Sequence, residues 1–315
     1  MSRREPVPEG TARFVHQALV YRADEELLRL AVPFLRSAAE AGEPALIAMG
    51  GRHERALMEE LREVEGITPL HPYHYHDPLS ALHDEHRLFA HLVRNGARRV
   101  RIVSEVPHDP WTKWFRYVAA TNDVFARFPV VSLCPHDLRT TSVDVLLDVA
   151  RTHPFLVGPN GTVVRSHLYK RPSSLLAERA RTDVDPLEAR RPPIVLVDPV
   201  PDAARRAVSS LVAVTRLGSD GADAVRLAAG HVVDNAIVHG RPPVRLAAWA
   251  DPDRVVVTVT DQGSGPAEPY MALLPGDPDA DLDEANSLYV ISQAVSDVSL
   301  FHGPDGFTVR LVERA

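Results

Sequence analysis

Between residues 14 and 153 the chain alternates repeatedly between short apolar runs and amphipathic helical stretches, and no other feature narrows its fold as far. FVHQALVY (14–21) is strand-like and leads into EELLRLAVPFLRSAAEAG, a helix with Asp24 as candidate cap and Gly42 as stop. PALIAMG (44–50) has the length and flanks of a buried parallel strand and precedes the helical RHERALMEELREV. PLHPYHYH is extended, and PLSALHDEHRLFAHLVRNG is a helix stopped at Gly96. The strands RVRIVSEV (99–106) and PVVSLCPH (129–136) each lead into a further helix, and PFLVGPNGTVV closes as a hairpin around Asn160-Gly161. Such units build a mostly parallel sheet with helices on both faces.

Residues 165–193 change character. Charges, prolines and one short apolar stretch predict a connector with a helical turn or two. Beyond it come two helical segments, DAARRAVSSLVAVTRLG and DAVRLAAGHVVDNAIVHG. The strands VRLAAWAD (244–251) and RVVVTVTD (254–261) follow, joined at Pro252-Asp253. A Gly/Pro/Asp-rich loop (262–284), a helix over 285–297 and the hairpin VSLFHG/FTVRLVER end the chain. Helices followed by antiparallel strands predict an α/β sandwich with one sheet face covered. The expected organisation is therefore a tail (1–13), an N-terminal domain (14–164), a connector (165–193) and a C-terminal domain (194–315).

Composition removes several function classes. A formal charge of −7 leaves no basic surplus to neutralise phosphates, so direct nucleic-acid binding is not expected. No apolar run approaches the ~18–20 residues of a membrane helix. The arginines near the start lack the apolar core of a secretory signal, so a cytoplasmic protein is expected. The single cysteine, Cys134, excludes an internal disulfide and a Cys-rich zinc module.

Three pieces of the second half stand in a fixed order: Asn235-Ala236 with His239-Gly240 at a helix end, TDQGSGP (260–266) after a strand, and a helix opening at ANSLYVISQAVSDV. Singly, Asn235 suits any polar helix position, and Asp261, Gly263 and Gly265 suit an ordinary turn. Together they resemble the Bergerat ATP-binding fold of histidine kinases, gyrase and bacterial anti-sigma-factor serine kinases, the last most of all, over about residues 195–314. The resemblance implies that Asn235 offers its carboxamide oxygen to Mg²⁺, that Asp261 accepts the adenine amino proton, and that Gly263 and Gly265 admit the base. It also implies cofactor contacts at His239, Ala285, Ser287 and Thr308, with residues 262–284 as a lid. Two departures stand out. His231 occupies the place of the general-base glutamate, and Ala285 and Ser287 replace glycines that bring backbone N–H groups to the phosphates.

The segment HQALVYRADEELLRLAVPFLRSAAEAGEPALIAM, with LCPHDLRTTSVDVLLDVARTHPFLV and SHLYKRPSSLL further on, resembles the MEDS-type sensory domain of DcmR-like regulators, over residues 14–170. A RecA-like core is implied. Gly50-Gly51-Arg52-His53 follows the second strand in place of a phosphate-cradling P-loop, so this half is not expected to be an NTPase. Ligands of open α/β sheets sit beyond the carboxyl ends of the strands, which selects Gly50, Gly51, Glu105, Cys134 and His136 as a sensory pocket. Trp111, Trp114 and Phe115 would cap it or belong to the core. Twelve of the fifteen histidines precede residue 168. His74 and His76 share a strand face beside His71, and His83 and His86 lie a helical turn apart, so the tract is either a transition-metal or haem site or a solvated surface.

The expected protein is a cytoplasmic regulator of anti-sigma-factor type. It senses a small-molecule effector through the first domain and binds a sigma factor or an anti-sigma-factor antagonist through a degenerate ATP-binding domain. An active Mg-ATP-dependent Ser/Thr kinase of such antagonists is the alternative, and a small-molecule, metal or haem sensor with a non-catalytic output domain is a third. The resemblance also implies a homodimer.

Overall fold

The computed structural model describes residues 13–70, 77–266, 271–273 and 287–315. The chain divides into two compact units, residues 1–172 and 173–315.

The first unit is a seven-stranded sheet in the order β3-β2-β4-β5-β1-β6-β7. Its strands are β1 (Val15–Tyr21), β2 (Ala45–Ala48), β3 (Ile67–Pro69), β4 (Val100–Ser104), β5 (Val130–Asp137), β6 (Phe155–Val157) and β7 (Val163–Arg165). All pairings are parallel except β6 with β7, the expected hairpin. The intervening helices are α1 (Asp24–Glu40), α2 (Gly51–Glu60), α3 (Pro78–Arg94), α4 (Trp111–Val124) and α5 (Val143–Thr152). Side chains alternate across the strands. Leu19, Tyr21, Val103 and Leu133 join Leu27, Ala31, Leu35 and Leu57 of α1 and α2 in one core. His16, Ile102, Ser104, Ser132, Cys134 and His136, which alternate with them, share a cavity with Phe89 of α3 and with Tyr117, Val118 and Thr121 of α4.

Asp24 does not cap α1. The N-cap is Ala23, and Asp24 is the first helical residue, its carboxylate turned to Arg139. Asp77 does cap its helix, accepting from Ser80 N at 2.8 Å. Asp77→Ala should therefore cost about 1 kcal/mol, read as a lowered urea midpoint at unchanged slope.

The second unit is a five-stranded antiparallel sheet, β11-β12-β10-β9-β8. It comprises β8 (Ile194–Val197), β9 (Arg245–Asp251), β10 (Arg254–Asp261), β11 (Asp297–Gly303) and β12 (Gly306–Arg314). Val255, Val257, Val259, Val309 and Leu311 face α7 (Pro201–Val212), α8 (Ser219–His239) and α9 (Ser287–Ala294). This is the expected sandwich with one helical layer.

Two differences concern the predicted connector. Residues 172–182 form a three-turn helix, α6 (Pro172–Thr182), followed by a 3-10 turn at Pro186–Ala189. Leu187 of that turn packs with Ala247, Trp249, Val256 and Val312 on the sheet face turned away from α7 and α8. Its charges are not solvated spacers, because Arg254 pairs with Asp185 and Arg310 with Glu188. β8 was not expected from the sequence. It is an apolar edge strand following two prolines, paired on one side only.

Candidate functional site

The nucleotide-site candidates converge where the end of β10 meets the C-terminal turn of α8. Asp261 is buried, and its Oδ1 accepts from Gly263 N at 2.6 Å and Arg241 N at 3.2 Å. Two glycines make room for the carboxylate. A Cβ on Gly240 would lie 2.5 Å from Asp261 Oδ1 and from Ala236 O, and one on Gly263 would lie 2.7 Å from Asp261 Oδ1. Gly265, at φ +64°, lies against the Phe307 ring. Fixing one carboxylate oxygen on backbone N–H groups orients the other, which is what recognition of an exocyclic amino group requires.

The metal half of the constellation is arranged differently. Ser287, the first residue of α9, donates its hydroxyl to Asn235 Oδ1 at 3.0 Å. That is the oxygen a Mg²⁺ ion would need. The adenine end thus fits the implied nucleotide, and the carboxamide end is already engaged. His231 is exposed and lines an open cleft of about 360 Å³ with Val200, Pro201, Asp202, Arg205 and Asp234. His239 is exposed at the end of α8. Thr308 is not brought to Asp261. It alternates with Phe307 and Val309, so its hydroxyl lies on the opposite sheet face, 2.9 Å from that of Thr260. Ala285 lies outside the described residues.

The expected sensory pocket resolves into two places. Beyond the strand ends, Glu105 faces His53 (Oε2–Nδ1 3.6 Å), and Arg139 joins Asp137 to Asp24, with Arg52 close by. Burial raises the Glu105 carboxyl above its usual range, and the arginine partners lower those of Asp24 and Asp137. Gly50 caps α2, and Gly51 begins it in the left-handed region, φ +68°.

Cys134 and His136 lie instead on the sheet face under α3 and α4, lining a narrow cavity of about 20 Å³. His16 and His153 line it as well, and neither was singled out in the sequence. Trp111, Trp114 and Phe115 are core residues, and Trp111 Nε1 donates to Asp148 Oδ2 at 3.0 Å. Burial holds the imidazoles of His16 and His136 well below their usual range and that of His153 at about 4, and it pushes the Cys134 thiol up to about 12. His83 and His86 belong to α3; His71, His74 and His76 lie outside the described residues.

A mostly parallel α/β unit with a narrow cavity against its sheet, joined to an antiparallel sandwich with an acid-and-glycine turn at its helix–strand junction, makes this a two-module chain. Residues 15–154 match the model of the MEDS (methanogen/methylotroph, DcmR sensory) domain, and residues 198–312 match that of the histidine kinase-like ATPase domain. The chain therefore carries a MEDS domain followed by a histidine kinase-like ATPase domain. It is also similar to the transcriptional repressor DcmR of Methylorubrum extorquens, 25% identical over 162 residues. That match takes in 44% of this chain and 57% of the repressor. The combination is that of a regulatory protein. No helix among the described residues is long and apolar enough to cross a membrane.

Proposed function

We propose that the protein is a cytoplasmic regulator of anti-sigma-factor type whose C-terminal domain acts by gripping a protein partner, a sigma factor or an anti-sigma-factor antagonist, rather than by phosphorylating it. The MEDS domain supplies the sensing half and responds to a small effector. One observation carries the reading: the Ser287 hydroxyl holds Asn235 Oδ1, so the group that would bind Mg²⁺ has a partner within the protein. His231 also stands where the resemblance places a general-base glutamate, so an imidazole replaces the carboxylate at that position. The exposed end of α8, with Ile237 and Val238, then serves as partner surface.

An active serine kinase is the rival reading, favoured by the arrangement of Asp261, Gly240 and Gly263. The test is capture of the partner from native cytoplasm, then incubation with γ-labelled ATP and Mg²⁺. The expected result is a complex without label on the partner. A double replacement, His231→Glu with Ser287→Gly, frees Asn235 and supplies the carboxylate, and should raise Mg-ATP affinity and any transfer by at least about tenfold. Stoichiometric labelling of a partner Ser or Thr by the unaltered protein would establish the kinase instead.

A further inference from the structure

The cavity beneath α4 brings together residues far apart in the chain. His16 is on β1, Cys134 on β5, and His153 follows α5. Their ligand atoms all lie within 4.8 Å of one another. The β1–β5 register explains the approach: Ala18 pairs with Cys134 and His16 with Ser132, so His16 and Cys134 emerge on the same sheet face. The His16 and His153 rings lie 3.9 Å apart, and both residues are almost fully buried.

His153 is held by one ring nitrogen and presents the other. His153 Nδ1 lies 2.9 Å from Val149 O, and a carbonyl only accepts, so Nδ1 carries the proton. His153 Nε2 is then a bare lone pair, buried and without a hydrogen-bond partner among the described residues. His16 Nδ1 is likewise buried and unpartnered among the described residues, as is Nε2 of the neighbouring His136. Metal-binding histidines show this arrangement, with one N–H on a carbonyl or amide fixing the tautomer and the other nitrogen turned inward. A buried acceptor left without a donor costs about 1–3 kcal/mol, and here several face one small space.

We propose that His16, Cys134 and His153 form a binding site for a single soft or borderline transition-metal ion of the Zn(II)/Cu(I) class. Thiolate and imidazole together select that class over hard, oxygen-seeking cations. The size of the space agrees. About 20 Å³ holds one ion or one water, whereas organic ligands need roughly 300–1,000 Å³. Binding replaces the thiol S–H bond with a metal–sulfur bond and releases that proton to solvent, with no change of oxidation state. His136 lines the same cavity, its ring centre 5.5 Å from that of His153. The site is independent of the partner reading of the C-terminal domain, and its occupancy gives the sensory domain a two-state input.

The test uses the full chain, stripped with chelator and titrated with Co²⁺ and Zn²⁺. One equivalent of Co²⁺ should produce a thiolate-to-metal charge-transfer band with tetrahedral d–d absorption, and Zn²⁺ should bleach it. Calorimetry in two buffers of different ionisation enthalpy should report release of about one proton per Zn²⁺. Cys134→Ala and His153→Gln should each weaken binding at least about 100-fold, with folding checked by circular dichroism. His74→Ala with His76→Ala should leave the band unchanged. Absence of the charge-transfer band in the unaltered protein overturns the proposal whatever the variants do. So does unchanged affinity in folded Cys134→Ala and His153→Gln, and a water with no metal in a structure grown with Zn²⁺ would mean that the space is a hydrated cavity.

Discussion

Arg310→Ala should lower the melting temperature of the C-terminal unit by about 10 °C, a loss of about 3–5 kcal/mol. Arg310 is 4% exposed on β12, and arginine is almost never so buried unless paired. Its Nη1 donates to Ala180 O at 2.9 Å and Asp183 O at 3.1 Å, satisfying carbonyls at the C-terminal end of α6. Its Nε lies 2.7 Å from Glu188 Oε1, and its guanidinium carbon lies 4.7 Å from the centre of the Phe301 ring. One side chain thus closes a helix end, pairs a half-buried carboxylate and holds residues 173–190 against the sheet. Truncation leaves the Glu188 carboxylate without its partner, which is the costly way to break a buried pair. Replacing both partners, as Arg310→Met with Glu188→Leu, should recover most of the loss, since neither charge is then left over. Calorimetric unfolding checks both, and limited proteolysis should show early cleavage within 173–193 in the single variant alone. A shift below about 2 °C for Arg310→Ala would mean that the segment is held by Leu187 and its apolar neighbours instead.

The same side chain shows what a local reading of the connector leaves out. Asp185 and Glu188 look like solvated charges when read locally, but their partners are Arg254 and Arg310, more than sixty residues further on. Strand and helix existence was legible, because apolar periodicity is local. Strand order was not, because placing β1 between β5 and β6 depends on pairing over more than a hundred residues. β8 escaped because an edge strand needs only one apolar face, and IVLV behind two prolines has too little length to declare it. At the candidate sites, Asn235, Asp261 and Gly263 could be singled out because their spacing is a local pattern. Ser287 was visible only as a missing glycine, and its bond to Asn235 required the fold. The strand-end rule selected Cys134 and His136 as facing outward beyond β5, but the pleat turns both sideways into the α4 layer. His16 and His153 carry no motif, and only the register of β1 on β5 and the end of α5 brings them together.

Asp261 separates structure from recognition, and two replacements should do opposite things. Asp261→Ala removes an acceptor that holds Gly263 N and Arg241 N in a buried turn, where Gly240 and Gly263 are packed around the carboxylate. Two backbone donors lose their partner, and the domain should lose about 2–4 kcal/mol. Asp261→Asn keeps an oxygen for both donors and nearly the same volume, so stability should change by less than about 1 kcal/mol. Its effect falls on the other atom. An NH₂ now stands where an oxygen stood, and an adenine amino group meets a donor instead of an acceptor. ATP affinity should fall about 10–100-fold in the folded Asn variant. GTP, which carries a carbonyl at that ring position, should lose nothing and gain relative to ATP. Titration calorimetry with both nucleotides, paired with thermal melts, resolves the two roles. Equal ATP binding in Asp261→Asn would place any nucleotide away from the β10–α8 junction. An Asp261→Ala variant as stable as the unaltered chain would show that the glycines alone hold the turn, leaving the carboxylate for ligand recognition only.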